Sequence, residues 1–159
     1  MSFNGELING FTGPQTCKIV GISYRQLDYW TRTGIISPSL AQAKGSGSRR
    51  LYSYKDLLEL KVIKRLIEAG IALSSIKKAV KYLRNELSET LGQVNLVIHG
   101  PDVFVASDSE ELFSILKGGQ GVMNVLSIGP LIKELGNAIG WMPEGWPQEL
   151  FSLDHAVSS

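Results

Sequence analysis

The sequence predicts an α+β fold in two parts: a mostly helical N-terminal half carrying a two-stranded ribbon, then a small α/β C-terminal half with a β-hairpin. Three observations predict it. Apolar residues recur at helical spacing as far as Leu87, β-prone runs then flank a turn at His99-Gly100-Pro101-Asp102, and the charge changes sign between the two regions. Residues 14–84 hold 14 basic side chains against four acidic ones, a net of +10, whereas residues 85–159 hold two basic and ten acidic ones, a net of −8. The overall charge of +1 conceals this division. A basic half attracts polyanions, and an acidic remainder limits indiscriminate adhesion.

Residues 1–13 lack periodicity and read as a flexible arm. Residues 14–87 form the first domain. Pro14 suits a first helical turn, Cys17, Ile19 and Val20 give that helix an apolar face, and Gly21 ends it. Ser23 is the N-cap of a second helix with Gln26 as its capping-box partner. On this helix Ile22, Leu27, Trp30 and, past the Gly34 turn, Ile35 point inward, while Tyr24, Arg25, Asp28, Tyr29 and Arg32 share the outward side. Ile35-Ile36 then begin a strand ending at Pro38, residues 39–48 make the tip of a wing, and Arg50-Leu51-Tyr52 return beside that strand. Ser53 and Asp56 cap a third helix with Leu57, Leu60, Ile63, Leu66 and Ile67 at helical spacing. A fourth, from Leu73, carries Ile76, Ala79, Val80, Leu83 and Leu87.

Residues 88–140 form the second domain. Val94–Ile98 and Val103–Ala106 make the hairpin, Asp108–Lys117 a capped helix, Val122–Ile128 a third strand and Leu131–Ile139 a last helix. The tail, 141–159, is rich in Trp, Pro and Gly and reads as irregular; Trp141, Met142, Trp146 and Pro147 are expected to pack on their own domain or on a partner, with the lining of an effector pocket as the alternative.

At 159 residues, with 43% hydrophobic and 19% charged side chains, the chain has the composition of a globular protein. It contains no apolar run of membrane-spanning length and no signal-peptide pattern, so a cytoplasmic, nucleoid-associated location is expected and no membrane contact. The lone Cys17 excludes an internal disulfide and argues against a cysteine-based metal site; it reads as a buried small residue. Gly118-Gly119-Gln120-Gly121 lacks the preceding strand and following lysine of a phosphate loop, and is a helix stop. His99 is a turn residue. No nucleophile, base and orienting group assemble, so no catalytic residue, cofactor or metal is expected.

From about Pro14 to Leu83 the chain resembles the DNA-binding head of the MerR family of bacterial transcription regulators. The resemblance rests on Gly21-Ile22-Ser23, Leu27-Asp28-Tyr29-Trp30, Gly34-Ile35-Ile36 with Pro38, Arg49-Arg50-Leu51-Tyr52 followed by Ser53 and Asp56, and Ala69-Gly70-Ile71 with Leu73 and Ile76. It implies a winged helix-turn-helix that binds promoter DNA as a homodimer on pseudo-palindromic sites, with RNA polymerase as a further partner. Three departures stand out. Asp28 occupies the place of a customary arginine, Arg49 that of a wing tyrosine, and β-prone sequence replaces the family's long coiled-coil helix. The resemblance is therefore to short regulators of actinobacterial type.

In such a head the second helix enters the major groove and the wing holds the backbone. Tyr24, Arg25 and Asp28 are expected to face bases, and Tyr29, Arg32, Arg49, Arg50 and Tyr52 mainly to hold phosphates. Asp28 either accepts from a cytosine amine or, the favoured reading, orients Arg25 or Arg32 by an ion pair. Tyr29 and Tyr52 have partial burial as their alternative. Residues 85–139, through the hairpin and third strand, are expected to pair two chains. The competing function is a protein-interaction module whose acidic half docks a sigma factor or another regulator. An excisionase-like DNA-bending protein shares the head but needs little beyond it.

Overall fold

The computed structural model describes residues 10–38, 50–85 and 92–140. Helix α1 (Gly13–Val20) is capped by Thr12, whose hydroxyl accepts the Gln15 N–H at 3.3 Å while the Gln15 side chain accepts the Thr12 N–H at 2.9 Å. Gly21, at φ 85°, turns the chain out of that helix. Helix α2 (Tyr24–Arg32) repeats the device with Ser23 and Gln26, as the sequence indicates. Leu27 and Trp30 are buried beneath it, as are Ile22 and Ile35 at either end.

Two expectations fail around this pair. Ile35 and Ile36 form no strand, because their amides both turn back to the Trp30 carbonyl, at 3.0 and 3.2 Å, and close α2. The strand partner of Tyr52 is instead Phe11, each donating its amide to the other's carbonyl at 2.8 Å. Phe11 is fully buried, so residues 11–13, assigned from sequence to a flexible arm, are part of the folded head. Arg49, the wing tip at 39–48, Leu87 and the tail from Trp141 lie outside the described residues.

Helix α3 (Tyr54–Glu68) opens on the expected Ser53–Asp56 capping box and runs through the centre of the molecule. Helix α1, helix α4 (Leu73–Asn85) and the last helix all pack on it, so Tyr54, Leu58 and Val62 are buried alongside the expected Leu57, Leu60, Ile63 and Leu66. Ile67, expected inside, is 41% exposed because it falls on the remaining free side. On α4 the expected Ile76, Ala79, Val80 and Leu83 are all buried.

Strands β1 (Asn95–His99) and β2 (Asp102–Ala106) make the hairpin with His99 opposite Asp102. Strand β3 (Asn124–Ser127) joins the other side of β1, giving the antiparallel order β2-β1-β3. Leu96 and Ile98 face the main core, while Val97, Phe104 and Val125 lie in one row across the opposite face. Helix α5 (Ser109–Gly118), capped by Asp108, packs against β2 and β1 but has no fully buried residue. Helix α6 (Ile128–Gly140) follows β3 without a loop, starting three residues before the sequence signal. Gly129 permits this junction, since a Cβ there would stand 2.6 Å from the Gly92 carbonyl oxygen.

The basic and acidic halves share one apolar core. Ile128, Leu131, Ile132, Leu135 and Ile139 of α6 are continuous with Phe11, Ile19 and the α3 residues. Glu134 of α6 reinforces the junction by pairing with Lys61 at 3.1 Å and Arg65 at 2.7 Å. Burial pushes the Glu134 carboxyl up, but the two cations outweigh it and hold its pKa below the ordinary 4.5. The hairpin turn rests on α4, where Ser75 donates to the Gly100 carbonyl at 3.0 Å and Lys78 to that of Pro101 at 2.7 Å.

Leu131→Ala should therefore destabilise the whole molecule by about 2–5 kcal/mol in one cooperative transition; urea unfolding followed by fluorescence and far-UV circular dichroism checks it, and separate transitions would contradict a shared core. Glu59 gives a second test. It is 2% exposed, and burial raises its pKa above 4.5 despite the Arg84 guanidinium at 3.1 Å. The folded state thus holds this proton more tightly than the unfolded state, so its contribution to stability falls as pH rises from 4.5 through the raised folded pKa. Glu59→Gln should gain stability relative to the parent across that rise, measured by urea midpoints at stepped pH.

Candidate nucleic-acid interface

The Ser23 cap, the buried Leu27 and Trp30, and the Trp30 carbonyl closure fix the rotation of α2, turning one polar side to solvent. On it Tyr24 is 60% and Tyr29 54% exposed, with Arg25 and Arg32 also exposed. The Tyr24 ring is propped from beneath, since a Cβ on Gly13 would meet its Cε1 at 3.2 Å. Tyr29 does not take the partly buried role weighed for it.

Asp28 lies mid-helix and is the electrostatic centre of this surface. One carboxylate oxygen accepts from Arg50 Nη1 at 2.9 Å, and the other from Arg32 Nε at 2.8 Å. Hydrogen bonds from Arg50 first, and then Arg32, hold its pKa below the ordinary 3.8, so it is ionised at neutral pH. The sequence reading anticipated an ion pair to Arg25 or Arg32. Arg32 is one partner, four residues along the helix; the other is Arg50, 22 residues distant, which spacing alone does not reveal. The Arg50 side chain is consequently 23% exposed and drawn against α2, while that of Arg32 remains 62% exposed.

Tyr52 corrects its assignment as a phosphate contact. It is 1% exposed, and its hydroxyl lies 3.1 Å from that of Thr31, which itself donates to the Leu27 carbonyl at 2.8 Å. Burial and Thr31 occupy the group expected to reach the backbone, so Tyr52 ties the base of the wing to α2. Thr31 was not singled out in the sequence. Lys64 of α3 was also missed: a Cβ on Gly21 would stand 3.1 Å from its amine, which places a cation over the α1–α2 turn.

The eight expected residues thus divide. Tyr24, Arg25, Asp28, Tyr29 and Arg32 share the α2 surface, Arg50 joins them through Asp28, Tyr52 is inside, and Arg49 is not described. Half-buried Cys17 has its thiol pKa raised by burial, the opposite of a reactive thiolate. No cluster of metal-ligating side chains occurs among the described residues. Among them, too, no helix is long and apolar enough to cross a membrane.

The family described as MerR HTH family regulatory protein matches residues 11–83, starting at the buried Phe11 and ending at Leu83 in α4. HTH-type transcriptional regulators of Mycobacterium tuberculosis and Mycobacterium bovis are 46% identical over 134 residues, covering 84% of this chain and 59% of each relative. The chain therefore spans 59% of the length of these mycobacterial relatives, and the similarity runs past the head into the second half. The HTH-type regulator GlnR of Bacillus anthracis is 31% identical over 65 residues, 41% of this chain and 47% of that protein. From the Phe11–Tyr52 bridge into the fourth helix, residues 11–83 of this chain thus carry a helix-turn-helix domain that matches the MerR family.

Proposed function

We propose that the protein is a sequence-specific regulator of transcription that binds double-stranded promoter DNA as a homodimer. The observation that carries this reading is the exposed α2 side, where Tyr24, Arg25, Tyr29 and Arg32 stand clear of a rigid, doubly capped scaffold with Arg50 alongside. An α-helix presented this way fits the major groove, where Tyr24 and Arg25 in its first turn face base edges. Tyr29, Arg32 and the wing arginines hold phosphates on either side. Lys64, beside the turn into α2, suits a flanking phosphate.

Pairing through the sheet is supported by what the fold leaves uncovered. Phe104 is 42% and Val125 44% exposed on either side of the buried Val97, at the two edges of the sheet. Leu96 and Ile98 on the inner side of the sheet already lie in the chain's own core, so a second copy would meet the exposed Phe104 and Val125 of the outer side, where Val97 is already covered. Two heads would then address the half-sites of a pseudo-palindromic operator in the nucleoid, where polymerase contact would fall to the rest of the surface.

Arg50→Ala should weaken binding to a duplex selected from a random library and make the slope of log K against log salt shallower by about 0.9 for each phosphate that is no longer neutralised. Unchanged affinity and slope in fluorescence anisotropy would remove Arg50 from the interface. Arg25→Ala should change which sequences are selected, by roughly 1–3 kcal/mol at one position; a uniform loss on all sequences would assign it to the backbone. Phe104→Asp with Val125→Asp should convert a dimer at micromolar concentration to monomer in sedimentation, while a monomeric parent would contradict pairing.

A further inference from the structure

The Asp28 clasp is unusual for a surface that must meet phosphates. A carboxylate placed beside a polyanion is repelled by it, and here that carboxylate also holds two of the cations best placed to attract it. Its oxygens are divided between the two arginines, one to each. A phosphate can recruit Arg50 only by competing with a charge-assisted bond of 2.9 Å to a group already in place. Arg32, more exposed, is held along the helix by the same carboxylate.

Major-groove chemistry offers a way to compensate for that competition. An ionised aspartate only accepts hydrogen bonds, so it needs a donor. Cytosine presents its N4 amine there without an acceptor on the same base edge, whereas adenine sets N7 beside its amine, and guanine and thymine present acceptors. Asp28 lies one turn beyond Tyr24 on the same side of α2, the side that the DNA-binding reading turns towards the base edges. On a sequence with cytosine at that position, the amine takes up the carboxylate's accepting capacity as Arg50 and Arg32 swing towards phosphates. On other sequences the carboxylate meets acceptors and keeps its arginines.

Building on the DNA-binding reading above, we propose that Asp28 gates affinity: it withholds Arg50 and Arg32 from phosphates of arbitrary sequence and releases them where a cytosine amine in the major groove engages its carboxylate. Asp28 is then a specificity-determining residue that acts mainly by suppressing binding to the wrong DNA, a use of repulsion as well as attraction.

The test compares parent and Asp28→Asn on two duplexes of equal length, one selected by the parent from a random library and one of random sequence, across a salt series. Asp28→Asn should raise affinity for the random duplex about fivefold, the effect of removing one like-charge interaction at about 4 Å in water. Its salt slope there should steepen by about 0.9 for each phosphate the freed arginines neutralise. Exchanging the selected cytosine for thymine should cost the parent about tenfold or more and Asp28→Asn much less, so that base and side chain are coupled. A variant that melts like the parent yet loses affinity equally on both duplexes, with its salt slope unchanged, overturns the gate and leaves Asp28 a structural residue. If the variant does not fold, the parent's selection alone decides, because the absence of a cytosine at any fixed half-site position also overturns it. No salt-sensitive binding of the parent to any duplex overturns the DNA-binding reading itself, and the gate with it.

Discussion

The fold depends on the burial of α3 on several sides at once. Nine of its residues, from Tyr54 to Leu66, are covered, with α1, α4 and α6 packed around it. This constraint joins the basic half and the acidic half in one apolar core. It also sets the entry to the helix: the Ser53 cap leaves Tyr52 pointing back into the head, where it pairs with Phe11 and reaches Thr31 of α2. The position of Arg50, two residues earlier, follows from that anchorage.

Electrostatics then divides the labour. Between packed elements, charges are paired for cohesion, as Glu134 with Lys61 and Arg65 across the two halves and the buried Glu59 with Arg84 between α3 and α4. The Asp28 pairings lie on the α2 surface, with Arg32 the most exposed partner, so in water each is worth little to stability. Their effect falls instead on the orientation and availability of cations. An excess of positive charge confined to the head, with acids gathered in the second half, makes the head the part of the chain suited to a polyanion.

Local rules made most of the fold legible. Capping boxes at Ser23 and Ser53 and helical spacing across Leu57–Leu66 announce themselves within a few residues, as does the Gly100-Pro101 turn. What escaped depends on contacts between distant segments. Phe11 carries no periodic neighbours to mark it, yet it is fully buried because Tyr52 needs a strand partner. Ile35 and Ile36 look β-prone, but the Trp30 carbonyl offers their amides a nearer acceptor. In the site, the α2 residues were legible from one face of one helix. Burial of Tyr52 was only the alternative reading, and its contact with Thr31 and the bridge from Asp28 to Arg50 were not legible, since each is decided by a partner more than 20 residues away.

We propose that the α2 surface with Arg50, rather than the acidic half, is what meets DNA. Titrating an isotope-labelled sample with a selected duplex and following amide chemical shifts tests it most directly. The shifts should concentrate at Tyr24, Arg25, Asp28, Tyr29, Arg32 and Arg50, leaving α5 and β2 nearly unmoved. Shifts confined to the acidic half, or none at saturating duplex, would contradict the account.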